Sequence, residues 1–188
     1  MAPTDSRVAA LILPGLSSSG PEHWQTLWEQ IDPSCRRVNQ ADWETPRCAD
    51  WVKTLDDAIA QSVEPVVLVA HSSSCALVAH WARDASGESR SGVRGALLVA
   101  PSDPEGPNYP DGPTGFAPMP LQRLPFPSIV VASRDDRYVT MDRAREYAHA
   151  WGSELVDLGE AGHINAASGL GSWATGYGLL QRLRTRAP

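Results

Sequence analysis

Short, mostly apolar runs recur along the whole chain, and segments with helical periodicity separate them. The segments that we predict to be strands occupy residues 8–13, 36–39, 65–70, 93–100, 127–132 and 154–158, of which 36–39 is the least apolar. Most are rich in Val, Ile, Leu or Ala and do not alternate with polar residues. Unbroken runs of this kind are typical of strands that are buried on both faces of a parallel sheet.

The intervening segments carry the apolar spacing of amphipathic helices. The first example is Trp24, Leu27, Trp28 and Ile31, which fall at positions i, i+3, i+4 and i+7. Comparable stripes lie within residues 51–59, 74–82, 144–151 and 173–180. The alternation of strands and helices predicts a doubly wound, three-layer α/β sandwich with about six mostly parallel strands. The length of 188 residues fits a single domain over residues 1–188.

Composition excludes several classes of protein. The chain has 16 basic and 22 acidic residues, a net charge of −6, and no basic stripe that could neutralise a phosphate backbone, so we expect no nucleic-acid partner. The apolar run at residues 8–13 is too short for a signal peptide or a membrane span, so we expect no membrane association. The three cysteines show no metal-ligand spacing, and their odd number argues against a disulfide framework. We therefore expect no bound metal, reduced thiols and a cytoplasmic location.

Ser72 lies in a sequence typical of a nucleophile elbow. The third apolar run ends at Ala70, and a helical pattern follows directly. In the G-x-S-x-G form of this turn, small residues flank the nucleophile because the strand and the helix approach closely there. Ala70 and Ser74 occupy those two positions here. Serine-rich helix starts are also common caps, so Ser72 or Ser73 could instead be a capping residue.

A carboxylate and a histidine follow in the order that a hydrolase triad requires. Asp135 and Asp136 come after the fifth apolar run, and His163 comes after the sixth. In α/β-hydrolases the chain order is serine, acid, histidine, and open α/β sheets build their sites at the carboxyl ends of their strands. Ser72, Asp136 and His163 are therefore the candidate catalytic residues. Asp135 is the alternative acid.

Several segments together resemble a known family, the small serine hydrolases of the retinoblastoma-binding serine hydrolase and YdeN type, within the α/β-hydrolase superfamily. The resemblance covers nearly the whole chain, and its most specific parts are the strings SSGPEHWQ (18–25) and AGHIN (161–165). It implies an α/β-hydrolase fold. The predicted strands and helices already occupy most of the 188 residues, so we expect a minimal fold without a cap domain, with strand order 2-1-3-4-5-6. The other matching segments are LPG (13–15), QADW (40–43), VAHS (69–72), LVAP (98–101) and the aspartate pair at 135–136.

The resemblance also implies roles for individual residues. Ser72 would be the nucleophile, His163 the base and Asp136 the group that orients the base. The backbone N–H groups of Leu16 and Ser73 would form the oxyanion hole. No metal or other cofactor is implied.

Two positions depart from the family pattern. Ser74 stands where glycine is expected, and Arg137 stands where proline commonly follows the aspartate pair. Neither change removes a reacting group. The hydroxymethyl group of Ser74 could distort the elbow or bond to the start of the helix.

Three further residues have expected positions relative to the site. His23 follows the first strand, and it could line the pocket or lie at the start of a helix. Trp173 could wall the site from the loop after His163. The side chain of His71 is expected to point away from the pocket of Ser72.

Further expectations concern residues away from the candidate triad. His80 and His149 fall on predicted helices and are expected to face solvent, and Cys75 is expected to be a small buried residue. Residues 101–125 are rich in proline and lack helical periodicity. Such a long loop is either functional or a surface connection around the edge of the sheet.

The sequence therefore favours a serine hydrolase of the carboxylesterase type. Its expected substrate is a small or exposed ester, or an amide, that is cleaved through an acyl-enzyme. The alternative is a catalytically weak hydrolase-fold protein that serves as a module for binding an unidentified protein partner. Nucleotide binding is disfavoured because no glycine-rich phosphate loop follows any predicted strand.

Overall fold

A computed structural model describes residues 8–186 and contains a single sheet of six parallel strands. The strand order β2-β1-β3-β4-β5-β6 confirms the prediction, and every neighbouring pair is parallel. The strands lie within one or two residues of the apolar runs. They are β1 (Ala9–Leu13), β2 (Cys35–Arg37), β3 (Val66–His71), β4 (Val93–Val99), β5 (Ser128–Ala132) and β6 (Glu154–Asp157).

Helices cover both faces of this sheet, which confirms the three-layer arrangement. In chain order they are α1 (Trp24–Ile31), α2 (Cys48–Ala60), α3 (Ser73–Asp84), α4 (Gly87–Ser91), α5 (Met141–Trp151) and α6 (Ala174–Thr185). The predicted stripes correspond to α1, α2, α3, α5 and α6. The short helix α4 has no apolar stripe and no buried residue, so the periodicity did not indicate it.

Alternate residues of each central strand enter two separate cores. In β3, Leu68 packs with the core formed by α2, α3 and α5, whereas Val67 and Val69 pack with the core formed by α1 and α6. Successive strand side chains point to opposite faces of a sheet. A strand that is covered on both faces must therefore be apolar at every position, which explains the unbroken runs.

The segment between β4 and β5 contains no helix and no strand, only an isolated bridge from Thr114 to Arg47. It is nevertheless packed onto the sandwich. Phe116 is 1% exposed, and its carbonyl lies 2.8 Å from Nε2 of His80. The expectation that His80 faces solvent is wrong, because this loop covers that part of α3.

Tryptophans on the predicted helical stripes form much of the two cores. Five of them are among the largest fully buried side chains of the protein: Trp24, Trp28, Trp51, Trp81 and Trp151. Within residues 8–186, no helix combines the length and the apolar character needed to cross a bilayer.

Candidate active site

Ser72 occupies a sharp turn between β3 and α3 with φ 59° and ψ −126°. L-amino acids rarely adopt this conformation, and such strain is characteristic of functional turns. The sheet holds the turn in place, because the N–H of Ser72 donates to the carbonyl of Val99 at 3.0 Å. The sequence-predicted elbow is therefore present, and it directs Ser72 outward at the carboxyl edge of the sheet.

The turn after β1 approaches the elbow closely. A Cβ atom added to Gly15 would lie 2.7 Å from Cβ of Ser72 and 3.1 Å from the carbonyl oxygen of His71. Real Cβ atoms essentially never come that close. Glycine is therefore required at this position for steric reasons.

Ser74 does not distort the elbow. Its side chain is 1% exposed, and its hydroxyl donates to the carbonyl of Pro14 at 2.6 Å. The hydroxyl thus bonds the first turn of α3 to the turn after β1. The sequence analysis left open a bond to the start of the helix, but the hydroxyl bonds instead to a carbonyl of the turn after β1.

Three side chains from separate loops form a continuous hydrogen-bonded chain. Nε2 of His163 lies 2.9 Å from Oγ of Ser72, and Nδ1 of His163 lies 2.8 and 3.0 Å from the two carboxylate oxygens of Asp136. The side chain of Asp136 is fully buried, and that of His163 is 12% exposed. This geometry fits a serine nucleophile, a base and an orienting acid.

The two neighbouring aspartates have different contacts. Asp136 faces His163 and also accepts the N–H of Tyr138. Asp135 points elsewhere, where it accepts the hydroxyl of Ser133 at 2.6 Å and the N–H of Gly162 at 2.8 Å. The hydrogen bond from Ser133 has the larger effect and lowers the pKa of the Asp135 carboxyl, and the bond from Gly162 lowers it further. Asp135 thus holds the loop that carries His163, and Asp136 contacts the imidazole itself.

The histidine loop is fixed on both sides of His163. The indole of Trp24 donates to the carbonyl of Ile164 at 2.8 Å. Nε2 of His71 lies 2.9 Å from the carbonyl oxygen of His163 and donates to it, since a carbonyl only accepts. Gly162 has φ 58°, a left-handed conformation that glycine adopts without strain.

Leu16 and Ser73 both border the cavity in front of Ser72. Ser73 begins α3, so its N–H has no acceptor within the helix. Neither backbone N–H donates to any other group among residues 8–186. The structure therefore leaves both donors available beside the reacting oxygen, as the proposed oxyanion hole requires.

Gln25 explains one of the specific sequence strings. It is fully buried, and its amide nitrogen donates to the carbonyls of Leu13, at the end of β1, and Val69, near the end of β3. The hydroxyl of Ser19 donates to Oε1 of Gln25 at 2.6 Å. The hydrogen bonds of Gln25 thus connect the segment that contains Leu16 to β3, the strand that precedes the elbow.

The cavity over Ser72 has a volume of about 490 Å³. Among residues 8–186, no Asp, Glu, Lys or Arg lines the cavity. Its apolar lining includes Leu16, Pro110 and two alanines. The lining residues are Leu16, Ser17, Ser18, Gly20, His23, His71, Ser72, Ser73, Ser102, Pro110, Tyr138, His163, Asn165, Ala166 and Ala167.

His23 both lines this cavity and caps α1. Its Nδ1 accepts the N–H of Gln25 at 3.2 Å, so Nε2 carries the hydrogen in the neutral ring. Burial, together with the nearby charges of Arg37 and His163, lowers the pKa of His23 to about 4. The ring is therefore neutral at pH 7.

The expectation for His71 is wrong in one respect. The residue does support the structure through its bond to His163, but its side chain borders the cavity instead of pointing away from it. Its ring lies 4.9 Å from that of His163, centroid to centroid. Burial, followed by the charges of His163 and His23, holds the pKa of His71 well below its usual value.

The expectation that Trp173 walls the site is also wrong. Trp173 does not border the cavity. It is buried between α1 and α6, with its ring centroid 5.2 Å from that of Trp24 and 6.1 Å from that of Trp28. Because the indoles of α1 provide an apolar site for it, Trp173 belongs to the core.

Sequence reasoning did not single out Ser102 or Tyr138. Oγ of Ser102 lies 2.9 Å from Oγ of Ser72, and the ring of Tyr138 lies 4.6 Å from that of His163. Both residues follow the carboxyl end of a strand, β4 or β5. The placement rule that selected Asp136 could have selected them as well.

The loop at residues 101–125 therefore contributes to the site. Ser102 and Pro110 line the cavity, and the hydroxyl of Tyr109 donates to Oγ of Ser73 at 3.1 Å. Within the described part of the chain, no group of three or more His, Cys, Asp and Glu side chains is arranged to hold a metal ion. All three cysteines are free and buried, Cys75 among them.

Comparison with known proteins identifies the family and the fold. The profile of the serine hydrolase family matches residues 10–182. No curated protein sequence matches the chain. Among solved structures, a YdeN-like hydrolase from Pectobacterium atrosepticum is 33% identical, with 94% of this chain and 89% of that one covered and a TM-score of 0.78.

More distant structures share the fold. The ydeN gene product of Bacillus subtilis is 20% identical, with coverage of 95% and 99% and a TM-score of 0.72. A butyrate-bound esterase from Thermogutta terrifontis is 17% identical, with coverage of 93% and 81% and a TM-score of 0.65. With a family profile matched over nearly its whole length, the chain belongs to the serine hydrolase family, and its structure is that of a small YdeN-like α/β-hydrolase.

Proposed function

We propose that the protein is a carboxylesterase-type hydrolase that cleaves a small or exposed ester through an acyl-enzyme on Ser72. One observation carries the proposal. Asp136, His163 and Ser72 are connected by hydrogen bonds of 2.8 and 2.9 Å, and Ser72 opens into a cavity with two available N–H donors.

In the acylation step, His163 acts as the general base. Because Asp136 accepts the Nδ1 proton, the lone pair of Nε2 faces Ser72. Nε2 takes the hydroxyl proton as Oγ forms a bond to the ester carbonyl carbon. The carbonyl oxygen becomes an oxyanion that accepts the N–H groups of Leu16 and Ser73, which contribute roughly 100- to 1,000-fold each in rate. When the intermediate collapses, the alcohol leaves with the proton held by His163.

Deacylation repeats these steps with water as the nucleophile. His163 takes a proton from the water, whose oxygen forms a bond to the carbonyl carbon of the acyl group attached to Oγ of Ser72. Collapse releases the carboxylic acid and returns the proton to Oγ of Ser72. Asp136 stabilises the imidazolium in both halves of the reaction.

The cavity supports an uncharged substrate of modest size. Its volume is about 490 Å³, and among residues 8–186 no carboxylate, ammonium or guanidinium group lines it. The segment between β4 and β5 contains no helix that could form a cap over Ser72. An esterase with a similar fold has butyrate bound, which supports a short acyl group in the substrate.

The test is covalent labelling with a fluorophosphonate, followed by hydrolysis of p-nitrophenyl esters of increasing acyl length. We expect labelling of the wild type, its loss in Ser72→Ala and a strong reduction in His163→Ala. His149→Ala, at an exposed position on α5, is the matched control and should label like the wild type. A folded wild-type protein that is neither labelled nor active on any ester would overturn the proposal and favour the protein-binding alternative.

We also propose that the protein works in the cytoplasm on a small-molecule substrate. The three buried, unpaired thiols support this location, because such thiols persist in a reducing compartment. Fractionation of cells that express the tagged chain tests it. Recovery of the protein from an oxidising compartment would contradict it.

A further inference from the structure

Ser102 places a second hydroxyl within hydrogen-bond distance of the nucleophile, Ser72. Its Oγ lies 2.9 Å from Oγ of Ser72, at the same distance as Nε2 of His163. The side chain of Ser102 is 2% exposed, and Ser72 is its one hydrogen-bond partner among residues 8–186. The triad mechanism by itself does not use this hydroxyl.

The hydrogen bonds that each atom can make determine which hydroxyl donates in the contact between Ser102 and Ser72. Asp136 accepts the Nδ1 proton of His163, so Nε2 of the neutral ring is an acceptor and needs the hydroxyl proton of Ser72. Oγ of Ser72 then has lone pairs free, and the hydroxyl of Ser102 can donate to one of them. The reverse direction would leave both Nε2 of His163 and the buried hydrogen of Ser102 without partners, which costs free energy.

The backbone around Ser102 is held firmly. The N–H of Ala100 donates to the carbonyl of Val131 at 2.8 Å. On the other side, the carboxylate of Asp103 accepts the hydroxyl of Tyr147 at 2.8 Å and Nε of Arg143 at 3.2 Å. A donor fixed in this way is oriented before the substrate binds, which is where preorganised groups are most effective.

We propose that Ser102 is a further catalytic residue that donates a hydrogen bond to Oγ of Ser72, directs the Ser72 hydroxyl toward His163 and stabilises the charge on Oγ during attack. This proposal rests on the proposed esterase function. As Oγ of Ser72 forms its bond to the carbonyl carbon, its proton passes to Nε2 of His163, and Ser102 keeps its own proton. Once Oγ is an ester oxygen it accepts hydrogen bonds only weakly. Ser102 therefore assists the attack of Oγ in acylation and, by microscopic reversibility, its departure when the deacylation intermediate collapses, but it has little effect on the attack of water.

The test separates the two steps in Ser102→Ala. The burst phase with p-nitrophenyl acetate reports acylation, the following steady state reports deacylation, and the rate of fluorophosphonate labelling gives a second measure of attack by Ser72. We expect acylation and labelling to slow by about tenfold, which corresponds to about 1.4 kcal/mol of transition-state stabilisation. Deacylation, in which the attack of water precedes the departure of Oγ, should slow less than acylation.

Ser128→Ala provides a matched control. Ser128 is 3% exposed and pairs its hydroxyl with that of Ser153 at 2.6 Å, at the start of β5 and outside the cavity. This variant loses a similar buried contact and should keep the wild-type rates of both steps. Urea unfolding of both variants measures the cost in stability.

Three results would overturn the proposal. Labelling of Ser102→Ala at the wild-type rate would show that the donor has no role in attack. Faster labelling would show that Ser72 donates to Ser102 in the resting enzyme. An equal loss in acylation and deacylation would show that Ser102 only supports the structure. Failure of the esterase proposal differs from all three, because there the wild type itself would not be labelled.

Discussion

The close contact between Gly15 and the elbow gives the most direct test of how the fold positions the nucleophile. Gly15→Ala adds a single methyl group. Its Cβ would lie 2.7 Å from Cβ of Ser72 and 3.3 Å from Oγ of the same residue. Carbon atoms in contact prefer separations of about 3.5–4.0 Å, so the two loops must separate by about 1 Å.

The side chain of Ser72 cannot relieve this overlap by rotating. The nearest atom is its Cβ, which is attached to a backbone held at φ 59° and bonded to the end of β4. The strain must therefore move the elbow or the turn that carries Leu16. Either movement lengthens the 2.9 Å contact between Ser72 and His163 or shifts one oxyanion donor.

The expected magnitudes follow from these distances. A misplacement of about 1 Å in a catalytic group costs about 100-fold in rate, so kcat/KM for p-nitrophenyl acetate should fall by about that factor. Overpacking of this kind costs about 1–3 kcal/mol in the free energy of unfolding. Urea unfolding, with the steady-state rates measured on the same samples, provides both numbers.

The matched control is Gly178→Ala in α6. A Cβ atom there meets no other atom within 4 Å, and alanine favours a helix over glycine by about 1 kcal/mol. This variant should keep wild-type activity and be slightly more stable. If Gly15→Ala retains activity within about threefold of the wild type, the argument that this contact fixes the elbow is wrong.

Three further predictions concern the acid, the elbow and the response to pH. Asp136→Asn should lower kcat/KM by about 10³- to 10⁴-fold, because the histidine tautomer is no longer fixed. Asp135→Asn should have a much smaller effect. Equal losses in the two variants would contradict the assignment of Asp136 as the acid that orients His163. Ser74→Ala leaves the buried carbonyl of Pro14 without its hydrogen-bond donor and should lower the free energy of unfolding, measured in urea, by about 1–3 kcal/mol. An unchanged free energy of unfolding would show that the 2.6 Å bond from Ser74 to Pro14 adds no stability. The pKa of His23 is about 4 in the folded state and about 6.5 when unfolded, so the unfolded state binds more protons between these values. Stability should therefore fall as the pH is lowered from 6.5 to 4, by about 3 kcal/mol from this residue; His23→Gln should reduce that loss and His149→Gln should not.

Much of the fold could be predicted because the relevant signals are local. Runs such as residues 65–70 are apolar at every position, and this pattern needs only the chain itself and the geometry of a strand. The helical stripes of α1 and α2 are equally local. Short elements were harder to predict: α4 has five residues, too few for any periodicity, and was not predicted, whereas β2 has three residues and was predicted one or two residues from its true bounds.

The site was predictable to the extent that the topology constrains it. All strands are parallel, so the segments that follow β3, β5 and β6 meet at one edge of the sheet. This fact alone brings the segments around Ser72, Asp136 and His163 together. The comparisons establish the family independently of that reasoning.

The amino-acid sequence by itself determined the layers, the strand elements and the order of the reacting groups, because periodicity and chain order are properties of the chain. Only the tertiary structure decided that Asp136 faces the histidine while Asp135 holds its loop, that Trp173 enters the core, and that Ser102 lies on the nucleophile. Adjacent residues in a turn point in different directions, and their directions depend on contacts with segments that are tens of residues away. The sequence pattern carries no record of those contacts, which form only when the loops pack together at the edge of the sheet.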